Sequence, residues 1–139
     1  MKKIRIGVLG AYRGSSMITY CKHSENAELV AVASRTKENA EKFGDEFGIP
    51  VRFDSYEKMA QSDVIDAAYI AVPHSGHIGC SCLMMNNGKH VLCEIPSVNS
   101  VEEAKELKEA VAAHPELTYM AAENCCYWAF IQTWKKMHR

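Results

Sequence analysis

The chain alternates short apolar runs with segments in which apolar residues recur every three or four positions. Near the start, "KIRIGVLG" is apolar along most of its length, the pattern of a strand covered on both faces. "SSMITYCKHSE" follows with helical spacing, and Ser15 or Ser16 stands near its start. "AELVAVAS" reads as a second strand. "TKENAEKFGDEFG" reads as an amphipathic helix in which Thr36 is placed to N-cap, Ala40, Phe43 and Phe47 share one face, and Gly48 ends the run. The alternation then repeats. "PVRF" predicts a short strand, "SYEKMAQ" a short helix capped by Ser55, "DAAYIAVP" a buried strand closed by Pro73, and "SGHIGCSCLMMNNG" a helix stopped by Gly88. "KHVLCEIP" is another strand, and "SVEEAKELKEAVAAH" a helix whose Ser100 and Glu103 have the spacing of a capping box. "LTYMAAEN" supplies a sixth strand and "CYWAFIQTWKKMHR" begins a last helix.

Strands apolar on both faces, each followed by a helix, predict a parallel sheet covered on each side. The expected fold class is therefore α/β, one doubly wound parallel-sheet domain, without linker, low-complexity tract or solenoid repeat. The last helix fits this least well. Tyr127, Trp128, Phe130, Ile131 and Trp134 wrap around more of its surface than one buried face requires. Two readings are open: a terminal helix lying on the sheet, or a helix that meets another domain or subunit.

Composition mainly excludes. Of 139 residues, 47% are hydrophobic and 24% charged, the profile of a soluble globular domain. The 16 basic and 17 acidic residues leave a net charge of -1, which gives no electrostatic footprint for nucleic acid or an anionic membrane. No run approaches the ~20 apolar residues needed to cross a bilayer. In "MKKIRIGVLG" two lysines precede an apolar run, as in a signal peptide. That run is short, broken by Arg5 and two glycines, and lacks a cleavage site, so it reads as a first strand of a cytoplasmic protein. The cysteines Cys21, Cys80, Cys82, Cys93, Cys125 and Cys126 form no C-x-x-C pair. They are expected to be buried or semi-buried free thiols; the alternative is a metal site of Cys80 and Cys82 with His77.

Candidate chemistry begins at "GVLGAYRGSSM". A loop that cradles a dinucleotide needs glycines for a tight turn, for close backbone approach to the pyrophosphate, and for close packing of helix on strand. Registered from Gly10, those positions are Gly10, Tyr12 and Ser15, so only the first is glycine; Gly14 is extra and able to relocate the turn. A glycine turn with no ligand is the alternative, but its place after the first strand and before the first helix favours a phosphate loop. Tyr12 narrows the space unless its side chain points away. Arg13 either meets a phosphate or is solvated. At the end of the second strand, an acidic residue would take the ribose 2′-hydroxyl of NAD. The sequence instead has Ser34, Arg35, Thr36 and Lys37, a set of hydroxyls and cations that suits the 2′-phosphate of NADP(H), unless these are only surface charges at a helix start.

Taken in order, "GVLGAYRG", "VAVASRTKENAEKFGDEFGIP", "SYEKM", "IDAAYIAVPHSGH", "GKHVLCEIP" and "EEAKELKEAV" cover nearly the whole chain. In this order and spacing the chain resembles the N-terminal domain of the glucose–fructose oxidoreductase and inositol dehydrogenase family (Gfo/Idh/MocA). The resemblance implies an NAD(P)-binding Rossmann domain over residues 1–122. Residues 123–139 would then begin the connection toward a C-terminal α/β domain, absent here, that holds the substrate and mediates oligomerisation. It also implies that Gly10, Ala11, Tyr12 and Arg13 lie in the pyrophosphate loop, and Ser34 and Arg35 at the adenosine ribose. Val72, Pro73, His74 and His77 match the loop after the fourth strand, which passes along the cofactor; His74 stands where an asparagine is common. For His77, a helix-start histidine with a satisfied hydrogen bond is an equal alternative to a ligand contact.

Glu94 and Pro96 match the family's Glu-Lys-Pro motif beside the nicotinamide, which implies that Glu94 is a cofactor-binding residue, but the lysine is Ile95. Isoleucine cannot donate a proton or stabilise developing negative charge, so acid–base assistance from this position is lost and no catalytic residue is assigned. The implied function is the cofactor domain of an oxidoreductase acting on a sugar, polyol or related hydroxy compound. NADP(H) is favoured and NAD(H) possible, with little turnover by this chain alone and a homo-oligomer formed through the last helix. The alternatives are a non-catalytic dinucleotide-binding or oligomeric scaffold module, and part of an NAD-dependent lyase or glycosidase.

Overall fold

The computed structural model describes residues 2–10 and 12–138, the side chain of Ser16 apart. Six strands, β1 (Ile4–Leu9), β2 (Ala27–Ala33), β3 (Val51–Phe53), β4 (Ala67–Ile70), β5 (His90–Cys93) and β6 (Tyr119–Ala121), form one sheet in the order β3-β2-β1-β4-β5-β6. Every neighbouring pair is parallel. Between them run α1 (Ser15–His23), α2 (Lys37–Phe47), α3 (Tyr56–Ala60), α4 (His77–Asn86) and α5 (Val101–Ala113), and α6 (Ala129–Met137) follows β6. The doubly wound arrangement expected from the strand pattern is the one observed. The order reverses between β1 and β4, which opens a crevice at the carboxyl ends of the strands.

The sheet is buried on both sides because alternate residues of the central strands are apolar in both directions. Leu9, Ala31, Ala68 and Ile70 face Met59, Ala60, Met84 and Met85 of α3 and α4. Val8, Tyr69 and Ala71 face Met17 and Cys21 of α1, and Val32 packs with Ile18, Phe43 and Ile49 toward α2. Caps fall where the sequence places them: Thr36, Ser55 and Ser100 accept from the backbone N–H of Asn39, Lys58 and Glu103. Gly48 closes α2 in the left-handed region at φ 69°, which a Cβ would disfavour. The capping box at α5 is shifted by one residue. Glu103 reaches back to the N–H of Asn99 (2.6 Å), beyond that of Ser100.

Two elements depart from the sequence expectation, and the last helix excludes one of its two readings. β4 ends at Ile70; Ala71 and Val72 stay buried but leave the ladder as the chain turns toward Pro73. The helix expected from Ser75 starts as a 3-10 turn, His74–Gly76, before α4 begins at His77. The last helix does not lie on the sheet. Its main contacts are with the preceding 3-10 turn, Asn124–Tyr127, and Tyr127, Trp128, Phe130, Trp134 and Met137 are all about half exposed or more. The cause is local: Trp128 is extended (φ −64°, ψ 140°) and redirects the chain before α6 starts.

One ion pair staples the start of β1 to the start of β4. Arg5 donates from Nε and Nη2 to the two carboxylate oxygens of Asp66 (3.0 and 2.6 Å), and its backbone N–H donates to Asp66 as well (2.9 Å). These bonds hold the Asp66 carboxyl well below the usual carboxylate range. Such a group contributes stability that is complete above its unfolded value of 3.8 and is lost as pH falls from there toward the folded value. Asp66→Asn is expected to melt lower than wild type near neutral pH, the gap closing as the pH drops through 3.8. A gap independent of pH in thermal melts would assign the loss to geometry and not to charge.

Candidate functional site

The crevice at the switch point holds a cleft of about 720 Å³, lined from three sides. Gly10, Tyr12 and Arg13 come from the loop after β1, Ser34, Arg35, Thr36 and Asn39 from the end of β2 and the start of α2, and Ala71, Pro73 and His74 from the loop after β4. Tyr56, at the start of α3, completes the wall.

The loop after β1 owes its path to two glycines. Gly10 has φ +94°, and a Cβ on it would stand 2.4 Å from the carbonyl oxygen of Ala71. Gly14 donates its N–H to the Gly10 carbonyl (3.2 Å) and caps α1. A Cβ on Gly14 would lie 2.2 Å from Cγ1 of Val8, so this glycine lets α1 press onto β1. The close-packing position registered at Ser15 therefore belongs to Gly14. Ser15 is exposed and donates its hydroxyl to the Tyr12 carbonyl (3.2 Å). Ala11 lies outside the described residues. Helix α1, like α4 and α6, has no side-chain cap; the Gly14 and Met17 N–H groups bond the Gly10 and Gly14 carbonyls, which leaves the Ser15–Ser16 turn to face an anion.

Tyr12 does not fill the cleft. Its ring is 71% exposed and turned toward α2, its hydroxyl 3.5 Å from Lys42 Nζ, with that ammonium 6.0 Å from the ring centroid. On the β2 side, Ser34 is buried and Arg35 exposed, while Thr36 spends its hydroxyl oxygen on the α2 cap. Lys37 leaves the group: on the first turn of α2, it lines a separate groove beside the end of β3 with Arg52, Asp54 and Lys58. Burial pushes the Tyr56 phenol above its ordinary value, and the positive charge of Arg35 pulls the other way.

Four residues assigned to the cofactor wall are divided. Pro73 and His74 line the cleft. Val72 is buried behind it. His77 is 1% exposed, with Nε2 2.9 Å from the carbonyl oxygen of Val72 and Nδ1 2.7 Å from that of Pro96. It is the satisfied helix-start histidine, not a residue facing the cleft, and it has no nitrogen left to join Cys80 and Cys82 around a metal. Among the described residues no three His, Cys, Asp or Glu side chains converge for a metal ion. Burial pushes the Cys80 thiol up to about 11 and also raises Cys93, which disfavours the thiolate needed for metal binding or nucleophilic attack.

Glu94 lies away from the main cleft. Its carboxylate accepts from the Tyr69 hydroxyl and lines a second, smaller cleft of about 390 Å³ with Met17, Tyr20, Leu92 and Tyr127. Ile95 is 40% exposed and joined to Pro96 by a cis peptide bond. Asn39, Tyr56 and Lys42 were not singled out in the sequence. For Tyr56 a signal existed, since the Ser55 cap fixes it as the first residue of a helix that begins beside the end of β3.

Topology, glycine loop and open helix start together define an α/β domain of the dinucleotide-binding class. The pattern that defines the "Oxidoreductase family, NAD-binding Rossmann fold" matches residues 4–122. The chain belongs to this Gfo/Idh/MocA oxidoreductase family and comprises its NAD(P)-binding Rossmann domain. It is 35% identical over 115 residues to a scyllo-inositol 2-dehydrogenase (NADP(+)) of Bacillus subtilis, covering 83% of this chain and 35% of that protein. It is 36% identical over 98 residues to D-xylose 1-dehydrogenase (NADP(+)) 2 of Haloferax volcanii, covering 70% and 30%. Scyllo-inositol dehydrogenase from Lactobacillus casei, solved with NAD(H) and scyllo-inositol, superposes with a TM-score of 0.89 at 25% identity, over 99% of this chain and 41% of that one. The chain thus spans 30–41% of the length of these relatives. No helix among the described residues is long and apolar enough to cross a membrane.

Proposed function

We propose that the cleft takes NADP(H) in preference to NAD(H), as the cofactor half of an oxidoreductase acting on a sugar, polyol or related hydroxy compound. The observation that carries this reading is the β2 side of the cleft: Ser34, Arg35 and Thr36 line it, and no carboxylate does among the described residues. An acidic side chain there would accept from a ribose 2′-hydroxyl and repel a 2′-phosphate; a guanidinium does the reverse. The fit is supported by the uncapped start of α1 for the pyrophosphate and by Tyr12 leaning toward Lys42, which leaves the cleft open.

Hydride transfer is the chemistry such a cofactor supplies when bound. The chain's own residues would bind and orient. Gly10 lets the backbone approach the phosphates, Arg13 and the α1 start face their charge, Arg35 and Ser34 hold the 2′-phosphate, and Pro73 with His74 bound the other half. Ile95 has nothing to donate to a reacting oxygen, so proton transfer falls to groups outside this domain. Residues 123–139 then act as the connection toward a substrate-holding domain or a second subunit, a role that suits the exposed aromatic face of α6. A second reading is favoured by Ile95 alone: a module that binds the dinucleotide and catalyses nothing.

Calorimetric titration tests the first reading. NADPH is expected to bind at least tenfold tighter than NADH. Arg35→Ala is expected to weaken NADPH by one to two orders of magnitude, corresponding to about 1.5–3 kcal/mol for a charge-assisted contact, and to leave NADH nearly unchanged. Equal affinities, or an Arg35→Ala variant that weakens both nucleotides alike, would sink the NADP(H) preference.

A further inference from the structure

The loop after β4, which carries Pro73 and His74 into the cleft, has its back against the loop after β5, which carries Ile95 and Pro96. Three side-chain contacts bind the two. His77 reaches the carbonyl of Val72 with one ring nitrogen (2.9 Å) and the carbonyl of Pro96 with the other (2.7 Å). Asn99 donates from Nδ2 to the carbonyl of His74 (3.3 Å), itself steadied by the Glu103 carboxylate, which accepts from its backbone N–H (2.6 Å). His77 is also fixed in place: its own carbonyl accepts from the Ser81 hydroxyl (2.7 Å), and the His74 ring stands edge-on to its ring at 5.4 Å.

An imidazole suits this position because it is rigid, with nitrogens on two edges that face two carbonyl oxygens; with an N–H on each nitrogen, the imidazolium form, it donates to both, whereas the neutral ring donates to one and packs against the other. Leaving the buried Val72 carbonyl without a partner is costly, and the exposed Pro96 is held to the molecule by its carbonyl against the same buried ring, so both loops depend on it. We infer that His77 is a positioning residue that ties the loop after β4 to the loop after β5, so that the Pro73–His74 wall of the cleft and the Ile95–Pro96 segment hold one arrangement together. It touches no ligand. It acts through the two backbones it joins. Its consequence for nucleotide affinity rests on the proposed function; the tie itself does not.

The adenosine ribose placed at β2 leaves the other half of a dinucleotide at β4, beside Pro73 and His74. Loss of the tie therefore acts on that half. Two measurements test this. In hydrogen–deuterium exchange, His77→Ala is expected to speed exchange of residues 74–76 and of residues 95 and 97–99 together, by about tenfold or more, with β1, β2 and α2 unchanged. His77→Gln, whose N–H groups sit on a single nitrogen and so face one side, is expected to protect one of the two loops and release the other. If His77→Ala does not fold, this variant carries the test. Acceleration in only one loop of the alanine variant, in neither, or in both loops of the glutamine variant alike would overturn the tie.

In titrations, His77→Ala is expected to weaken NADPH about tenfold while 2′-phospho-ADP-ribose, which lacks the nicotinamide, stays within twofold. Equal weakening of both would show a general structural loss and overturn the positioning role. Should the wild-type chain bind neither NADPH nor NADH, the proposed function fails, and the exchange measurement still decides whether His77 ties the loops.

Discussion

Gly10→Val is expected to remove nucleotide binding and to destabilise the domain by about 3–5 kcal/mol. Two independent costs add. The backbone at Gly10 sits at φ +94°, where a β-branched residue is a severe outlier. The added Cβ would also meet the Ala71 carbonyl oxygen at 2.4 Å, its carbon at 2.7 Å and the Val72 nitrogen at 3.0 Å. All three are backbone atoms of the neighbouring chain, so no side-chain rotation relieves the contact. The only escape is to part β1 from the segment after β4, which widens the floor of the cleft. Urea melts and a titration with NADPH read the two effects separately. Wild-type stability in this variant would mean that the strands at the switch point can separate without cost.

Gly14→Ala comes second and differs in kind. Its Cβ would stand 2.2 Å from Val8 Cγ1 and 2.9 Å from the Gly10 carbonyl oxygen, at an ordinary helical φ of −70°. There is no conformational penalty, only overpacking, for which about 2–3 kcal/mol is expected. The nearer obstacle is a side chain. Val8→Ala should therefore return part of the loss, so the double variant is less destabilised than the two single variants added together by about 1 kcal/mol. Chemical denaturation of the four proteins of this cycle checks it. Strict additivity would show that α1 shifts bodily away from β1 and that Val8 is not what Gly14 accommodates.

The contrast between the two glycines shows what the sequence carries. Short runs apolar on both faces are a local code, so all six strands and the caps at Thr36, Ser55 and Ser100 were legible from neighbouring residues alone. A glycine loop was legible too, but which glycine serves the helix contact was not, since that depends on where Val8 of the preceding strand points. The same limit applies to the site. Ser34 and Arg35 follow from their position at a strand end, but Lys37, two residues past Arg35, already belongs to another groove. His77 meets Pro96 across 19 residues, and Glu94 meets Tyr69 across 25. No spacing rule joins such pairs; only the sheet order brings them together. The path of α6 was illegible for the opposite reason, because a single extended residue, Trp128, sets it.

That last helix has a practical effect on every tryptophan-fluorescence experiment. The chain has two tryptophans, and both belong to the final segment: Trp128 just before α6 and Trp134 within it, each packed against Phe130. Their emission therefore reports on the tail of the molecule and not on the sheet that carries the cleft. A fluorescence melt would follow the release of a half-exposed aromatic cluster, while the buried strands passed through their own transition unseen. Circular dichroism or amide exchange, which sample the whole backbone, are the signals that follow the cofactor domain itself.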